Sequence, residues 1–477
     1  MAKLEGLKPE KVFKYFEEIS ALPRGSGNMT EVADYCMDFA KKHSLKVNRD
    51  SANNVVIYKD ATAGYENAQP VILQGHLDIV CQKDADRDID FEKDGIDIYV
   101  DGDYIKARGT TLGADNGIAV AMIMAILDSD DIAHPPVEAL FTTDEEIGMI
   151  GASQLDGSKF KGKRLINLDS EEQDKLTVSC AGGSEFEMII PVKRTKVRGS
   201  KITLSLTGLK GGHSGIEIDK GRINASILAG RFLNAITGFD IISITGGDKS
   251  NAITNACTVE LVTPQQEKLM SELKSCAETI KKEISDIEPD FEFSLTVGEN
   301  GEFDAIDECT KKKLIFTLLF IPNGVQSMSA SIEGLVETSL NLGILKTEND
   351  KITMISALRS NKQTALWYLE EKLKAFAEMI EFDVKTYGHY PPWEYKENSE
   401  LQELYKKCFK EKFGYEPTVE AIHAGLECGT LSAKIENLDA ISIGPELLDV
   451  HTTKEKLKIS SAKEMYELVI YLLGKIK

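Results

Sequence analysis

The chain has 477 residues, 42% hydrophobic and 28% charged, with 56 Lys and Arg against 77 Asp and Glu and a formal charge of −21. That length favours two or three domains with sizeable cores, while the acidity argues against a nucleic-acid partner and against an anionic membrane surface. Eight scattered cysteines with no Cys-x-x-Cys pair argue against a disulfide framework or a thiolate zinc site.

The opening MAKLEGLKPEKVFKYFEEIS lacks the apolar core of a signal peptide. It predicts an amphipathic helix with Val12, Phe13, Phe16 and Ile19 on one face and Pro9 near the first turn. No apolar run reaches membrane-spanning length, so a cytoplasmic protein is expected. Strands are predicted at NNVVIYK, PVILQG, VEALFTT and RLINLD, with a largely buried helix at NGIAVAMIMAILDS. This alternation predicts an α/β layer with a mostly parallel sheet. The pattern returns near the end, where AISIGP precedes the helix SAKEMYELVIYLLGKI.

The middle reads differently. KITLSLTGL, a helix in GRINASILAGRFLNAI, DIISITGG, CTVELVT, a helix in KLMSELKSCAETIKKEI and FEFSLTV follow a β-α-β-β-α-β order, which predicts a split βαβ sandwich. The helix KKKLIFTLLF, the strands around ETSLNLGIL and KITMISALRS, a helix from Gln363 to Met379 and the strand FDVKTY read as a second, incomplete copy, without clear sequence self-similarity. The expected plan is an α/β domain of residues 1–184 and 391–477 with an α+β insertion at 185–390.

Potential ligands stand after every convincing strand of the α/β part. His76 and Asp78 follow PVILQG, Glu145 and Glu146 follow VEALFTT, Asp169 closes RLINLD, and His451 lies shortly after AISIGP. Asp115 occupies the Gly-rich turn GTTLGADNG before the buried helix. Taken singly these are turn residues, a helix cap or satisfied histidines, and His-x-Asp alone equally suits an ion pair, half a nucleophilic triad or a metal ligand with its anchor. Taken together they point to a cation site, because ligands gather at the carboxyl ends of such strands and clustered carboxylates need neutralising. Imidazole and carboxylate without thiolate suit zinc, cobalt or manganese. Two ions sharing a carboxylate could hold a hydroxide between them and clamp a carbonyl oxygen. The neighbours Glu145 and Glu146 then divide the work: one binds metal and the other takes the proton of the bridging water.

GHLDIV, GTTLGADNGIAVAMIMAIL, FTTDEEIGMIGA, LINLDSEE, LKGGHSG and VHTTKEKLKISS resemble, in order and spacing, the two-zinc exopeptidase family of aminoacylases, carboxypeptidases and dipeptidases, and most closely its dipeptidase members. The resemblance runs from the first helix to the last. It implies a metallopeptidase catalytic domain with an inserted lid domain. It also implies that His76, Asp115 and Asp169 bind one metal, that Asp115, Glu146 and His451 bind the other, that Asp78 orients the His76 ring, and that Glu145 is the general base. His213 of GGHSG would reach from the lid towards the scissile carbonyl. For the substrate ends, Arg359 in ISALRS suits a carboxylate, Asn255 or Asn251 a carbonyl or carboxylate oxygen, and Glu427 in HAGLECG a free amine. The expected function is metal-dependent hydrolysis of unblocked dipeptides, Xaa-His included, with two divalent ions, zinc first and cobalt or manganese as alternatives. The alternative is an aminoacylase or broader exopeptidase on the same site. A homodimer stays open, since relatives with one small lid unit form dimers through their lids.

Overall fold

The structure is a computed structural model that describes residues 3–477. It comprises two compact units: Met1–Cys180 with Tyr395–Ala421 and Leu426–Lys477, and Ala181–Glu394 with the short segment Ile422–Gly425. The first begins with α1 (Glu10–Ser20), whose predicted stripe of Val12, Phe13, Phe16 and Ile19 is buried, and α2 (Thr30–Lys42). Then come β1 (Lys46–Arg49), β2 (Val55–Lys59), β3 (Val71–His76), the helix α3 (Ala114–Leu127), β4 (Val137–Thr142), β5 (Arg164–Asn167) and β6 (Lys175–Cys180). Helix α3 is buried all round, as a sequence apolar on every face requires.

The second unit holds β7 (Gly182–Pro191), β8 (Arg194–Thr207), α4 (Ala225–Asn234), β9 (Asp240–Gly246), β10 (Cys257–Thr263), α5 (Gln266–Ile284) and β11 (Glu292–Ile306). They are followed by α6 (Glu308–Phe320), β12 (Val336–Thr347), β13 (Lys351–Ser360), α7 (Gln363–Met379) and β14 (Asp383–Tyr390). The strands pair in the order β11-β8-β10-β9-β12-β13-β7-β14. Taken as β8-α4-β9-β10-α5-β11, the first copy has its strands in the spatial order fourth, first, third, second. The set β7-α6-β12-β13-α7-β14 has the same order, so the second copy is complete. The strand missing from the sequence reading is β7, which precedes the first copy. One copy is therefore nested inside the other, and β9 joins β12 through Thr245 and Gly246 opposite Lys346 and Leu345. Phe186 and Met188 of β7 share one core with residues of both copies, such as Phe232 and Leu342.

After the second unit come α8 (Glu400–Phe413), β15 (Thr418–Ile422), α9 (Glu427–Lys434), β16 (Asp439–Ser442) and α10 (Ile459–Leu473). The sheet of the first unit runs β1-β2-β4-β3-β5-β16-β6-β15. The central strands β4, β3, β5 and β16 are mutually parallel; β2 meets β4, and β6 meets β16, antiparallel. The central parallel strands β3 and β4 are buried along their whole length, as expected where both faces of a sheet are covered. His76 lies opposite Thr142, and Asn167 opposite Gln74 and Ser442, so these strands end at a common level.

Candidate metal centre and its surroundings

His76 is the last residue of β3, Asp169 follows β5 by two residues, and Glu145 and Glu146 lie just beyond β4. Their backbones arrive at one edge because the parallel register aligns the strand ends. Asp115 enters from the first turn of α3 and His451 from the loop after β16. His76 Nε2 lies 3.2 Å from Asp115 Oδ1 and 3.4 Å from Asp169 Oδ1. His451 Nε2 lies 3.0 Å from Asp115 Oδ2 and 3.1 Å from Glu146 Oε1. Each oxygen of Asp115 thus faces a different imidazole. His76, Asp115 and Glu146 each offer an atom within 4.8 Å of the others, a grouping that could hold a metal ion.

The surroundings hold these groups in place. His76 Nδ1 is 3.1 Å from the backbone carbonyl of Asp78 and 3.5 Å from its carboxylate, so the main chain is the nearer support of the ring. The Asp78 carboxylate accepts from Ser26 Oγ and from the backbone N–H groups of Glu145 and Glu146. Asn116 accepts the backbone N–H of His76 and donates to the carbonyl of Leu168, tying β3 to the chain before Asp169. Glu455 accepts the backbone N–H groups of Leu112, Gly113, Ala114 and Asp115. Arg24, fully buried, donates to the carbonyls of Leu77 and Gly113. Neither Glu455 nor Arg24 was identified from sequence, where no local pattern links them to the turn.

Electrostatics follow from this crowding. Burial raises the pKa of Asp115, but hydrogen bonds from His451 and His76 outweigh it and hold the carboxyl below its ordinary range. Hydrogen bonds to Asp115 and Glu146 push His451 up to about 11. Asp169 is pushed up to about 6, chiefly by burial, and its Oδ1 is buried with no hydrogen-bond partner. Glu145 is raised well above the carboxylate range by burial; His76 opposes this, and Asp169, Glu427 and Glu146 add to it. A carboxylate with so high a proton affinity is suited to receive a proton. Glu427 is fully buried, accepts from Gln74 Nε2 and Thr142 Oγ1 at 2.6 Å each, keeps Oε1 without a partner, and is pushed up to about 8 by burial.

His213, Asn255, Asn251 and Arg359 belong to the second unit. Gly212 and His213 pair with Ile253 and Ala252, and Ser214 N–H donates to the carbonyl of Asn251. The exposed Asn255 abuts Gly211, where a Cβ would meet the Asn255 Cβ at 2.9 Å. Gly212 has φ +135°, and a Cβ there would meet Arg222 and Glu217 at 2.1 and 2.5 Å, so glycine is required. His213 Nδ1 accepts the backbone N–H groups of Gly215 and Ile216. An acceptor Nδ1 leaves the proton of the neutral ring on Nε2, as a donor. Burial and then Arg359 lower the His213 pKa, which keeps the ring neutral. Arg359 is buried, donates to Tyr390 Oη at 2.9 Å and has an Nε without a hydrogen-bond partner. His423, also buried, bonds Ser339 Oγ through Nε2 and Asn361 through Nδ1, and holds the segment Ile422–Gly425 in this unit.

A model of peptidase family M20/M25/M40 matches residues 72–475. The chain is 35% identical over 483 residues to the cytosol non-specific dipeptidase of Escherichia coli K12, covering 100% of this chain and 99% of that protein. It superposes on the aminoacylhistidine dipeptidase of Vibrio alginolyticus with a TM-score of 0.92 and 36% identity, over 99% of this chain and 98% of that one. Aminopeptidase PepT of Bacillus cereus, at 15% identity, shares the fold with a TM-score of 0.58 over 98% of this chain and 99% of its own.

Proposed function

The chain belongs to peptidase family M20/M25/M40, and we propose that it hydrolyses unblocked dipeptides, Xaa-His among them, using two divalent metal ions. The observation that carries this reading is Asp115, whose two oxygens face His76 and His451 separately. The donor set fits a pair of cations. His76, Asp115 and Asp169 would hold one, and Asp115, Glu146 and His451 the other, with Asp169 Oδ1 buried beside His76 Nε2 and accepting no hydrogen bond that a metal would have to displace. When bound, such ions polarise the scissile carbonyl and lower the pKa of water. Zinc is the first candidate for this oxygen and nitrogen set, ahead of cobalt and manganese.

The protein's own groups perform the proton transfers. Glu145, outside both ligand sets, accepts a proton from the attacking water at its carboxylate and returns it to the leaving amine. His213 donates from Nε2 to the oxygen that becomes negative in the tetrahedral transition state. The first unit serves as the catalytic domain and the second as the lid. Arg359 receives the substrate carboxylate, Asn255 a carbonyl or carboxylate oxygen, and Glu427 the free amine. A cytoplasmic location belongs to the same reading, as does the absence of a nucleic-acid or membrane partner, and a homodimer is compatible with it. Among the described residues no helix is long and apolar enough to cross a membrane.

The test is hydrolysis of a dipeptide panel, including Xaa-His and amine-blocked controls, after chelation and after adding back zinc, cobalt or manganese. Full turnover by chelated, metal-free protein would overturn the reading. Preference for N-acyl amino acids would move the assignment to an aminoacylase.

A further inference from the structure

The turn Leu112–Asp115 delivers Asp115 to both imidazoles, yet it is held from outside itself. All four of its backbone N–H groups donate to one carboxylate, that of Glu455: Leu112 and Gly113 to Oε2 at 2.8 and 3.0 Å, Ala114 and Asp115 to Oε1 at 2.8 and 3.2 Å. On the other side, the Arg24 guanidinium donates to the carbonyl of Gly113 and, at 2.9 Å, to that of Leu77, the residue between His76 and Asp78. Both side chains are withdrawn from solvent, Arg24 at 1% and Glu455 at 3% exposure. The two glycines of GADNG make room for this arrangement. A Cβ on Gly113 would meet Arg24 Nη2 at 2.8 Å, and one on Gly117 would meet it at 2.5 Å.

We propose that Glu455, with Arg24 as its buried counter-charge, is a positioning residue that presets the Asp115 turn in the geometry required to serve two metal ions. A turn of four consecutive unpaired amides beside a charged cluster is costly to bury. Glu455 satisfies all four and lets only one arrangement do so. The prong of Arg24 to Leu77 ties the turn to the end of β3, so the spacing between Asp115 and His76 is set before any ion arrives. Glu455 touches neither substrate nor ion; it acts through the backbone of Asp115.

This inference rests on the two-metal reading, and the test separates them. Zinc binding is measured by competition with a chromophoric chelator on wild type and on Glu455→Gln, which keeps the side chain's size but presents a single acceptor oxygen. Wild type should bind two equivalents; if it binds none, the two-metal reading fails. In Glu455→Gln both equivalents should weaken together, by about 10- to 100-fold, the usual effect of losing an outer support of a ligand. Two equivalents bound at wild-type affinity would overturn the positioning role. Loss of only one would also overturn it, and would mean that Glu455 merely steadies the nearby His451 loop. A residue needed only for stability would lower Tm without changing zinc affinity in the folded protein. Hydrogen exchange on metal-free wild type tests the idea without a variant. The amides of Leu112–Asp115 should exchange slowly there, and fast exchange would show that the turn is not preset.

Discussion

The carboxylate of Asp78 accepts the backbone N–H of Glu145 at 3.0 Å. The residue whose carbonyl steadies the His76 ring therefore also anchors the loop that carries the adjacent glutamates. Asp78 Oδ2 takes the N–H of Glu146 as well, at 3.2 Å. One buried aspartate thus sets the relative placement of a proposed ligand on β3 and a proposed base beyond β4.

From that placement, Glu145→Gln should keep its metal and lose turnover by at least about 10²-fold, since positioned proton transfer contributes roughly 10²–10⁴. Glu146→Gln should instead lose metal, because Glu146 Oε1 is a neighbour of His451 Nε2. Metal analysis and single-turnover kinetics on both variants check the division, and metal loss confined to the Glu145 variant would reverse it.

His213→Ala should retain metal and fold while kcat falls by roughly 10²–10³-fold, the usual loss for one oxyanion donor. Because burial and Arg359 lower its pKa, the ring should remain a neutral Nε2–H donor above pH 6.5, its ordinary value. The wild-type kcat profile should therefore show no His213 titration midpoint at or above that pH. A near-wild-type kcat for the variant on several dipeptides would leave GGHSG as a structural turn.

Amidating the carboxyl end of a good dipeptide should reduce kcat/KM by about 10- to 100-fold, as expected when a buried cation loses a charged hydrogen-bond partner. Arg359→Met should narrow the difference between the free and amidated forms. Equal rates on free and amidated dipeptides with wild type would favour the broader exopeptidase.

Glu427 links pH to stability. Burial raises its pKa from 4.5 to about 8, so between those values the folded protein keeps a proton that the unfolded chain has released. Stability should then fall as pH rises through that window. Urea unfolding of metal-free wild type and Glu427→Gln at pH 5 and pH 8 measures the effect. The variant should gain relative to wild type on going to pH 8, and a constant difference would count against the shift.

Much of this molecule was legible in local pattern. The short apolar, β-branched runs PVILQG and VEALFTT located β3 and β4, the all-apolar NGIAVAMIMAIL located α3, and the residues after these strands named the cluster that the fold brings together. Such signals are local, because strand and helix periods and strand ends are set by neighbours in the chain. The tertiary structure decided what depends on distant pairing. Strand β7 belongs to a copy whose other strands begin at Val336, so no contiguous pattern could complete that copy. Glu455 and Arg24 are separated from Gly113 by 342 and 89 residues, and only folding brings the turn's amides and carbonyl to them. The tautomer of His213 rests on two backbone N–H groups whose direction is set by a loop requiring glycine at 212. Residue identity supplied the chemistry, and the satisfaction of buried polar groups selected its geometry.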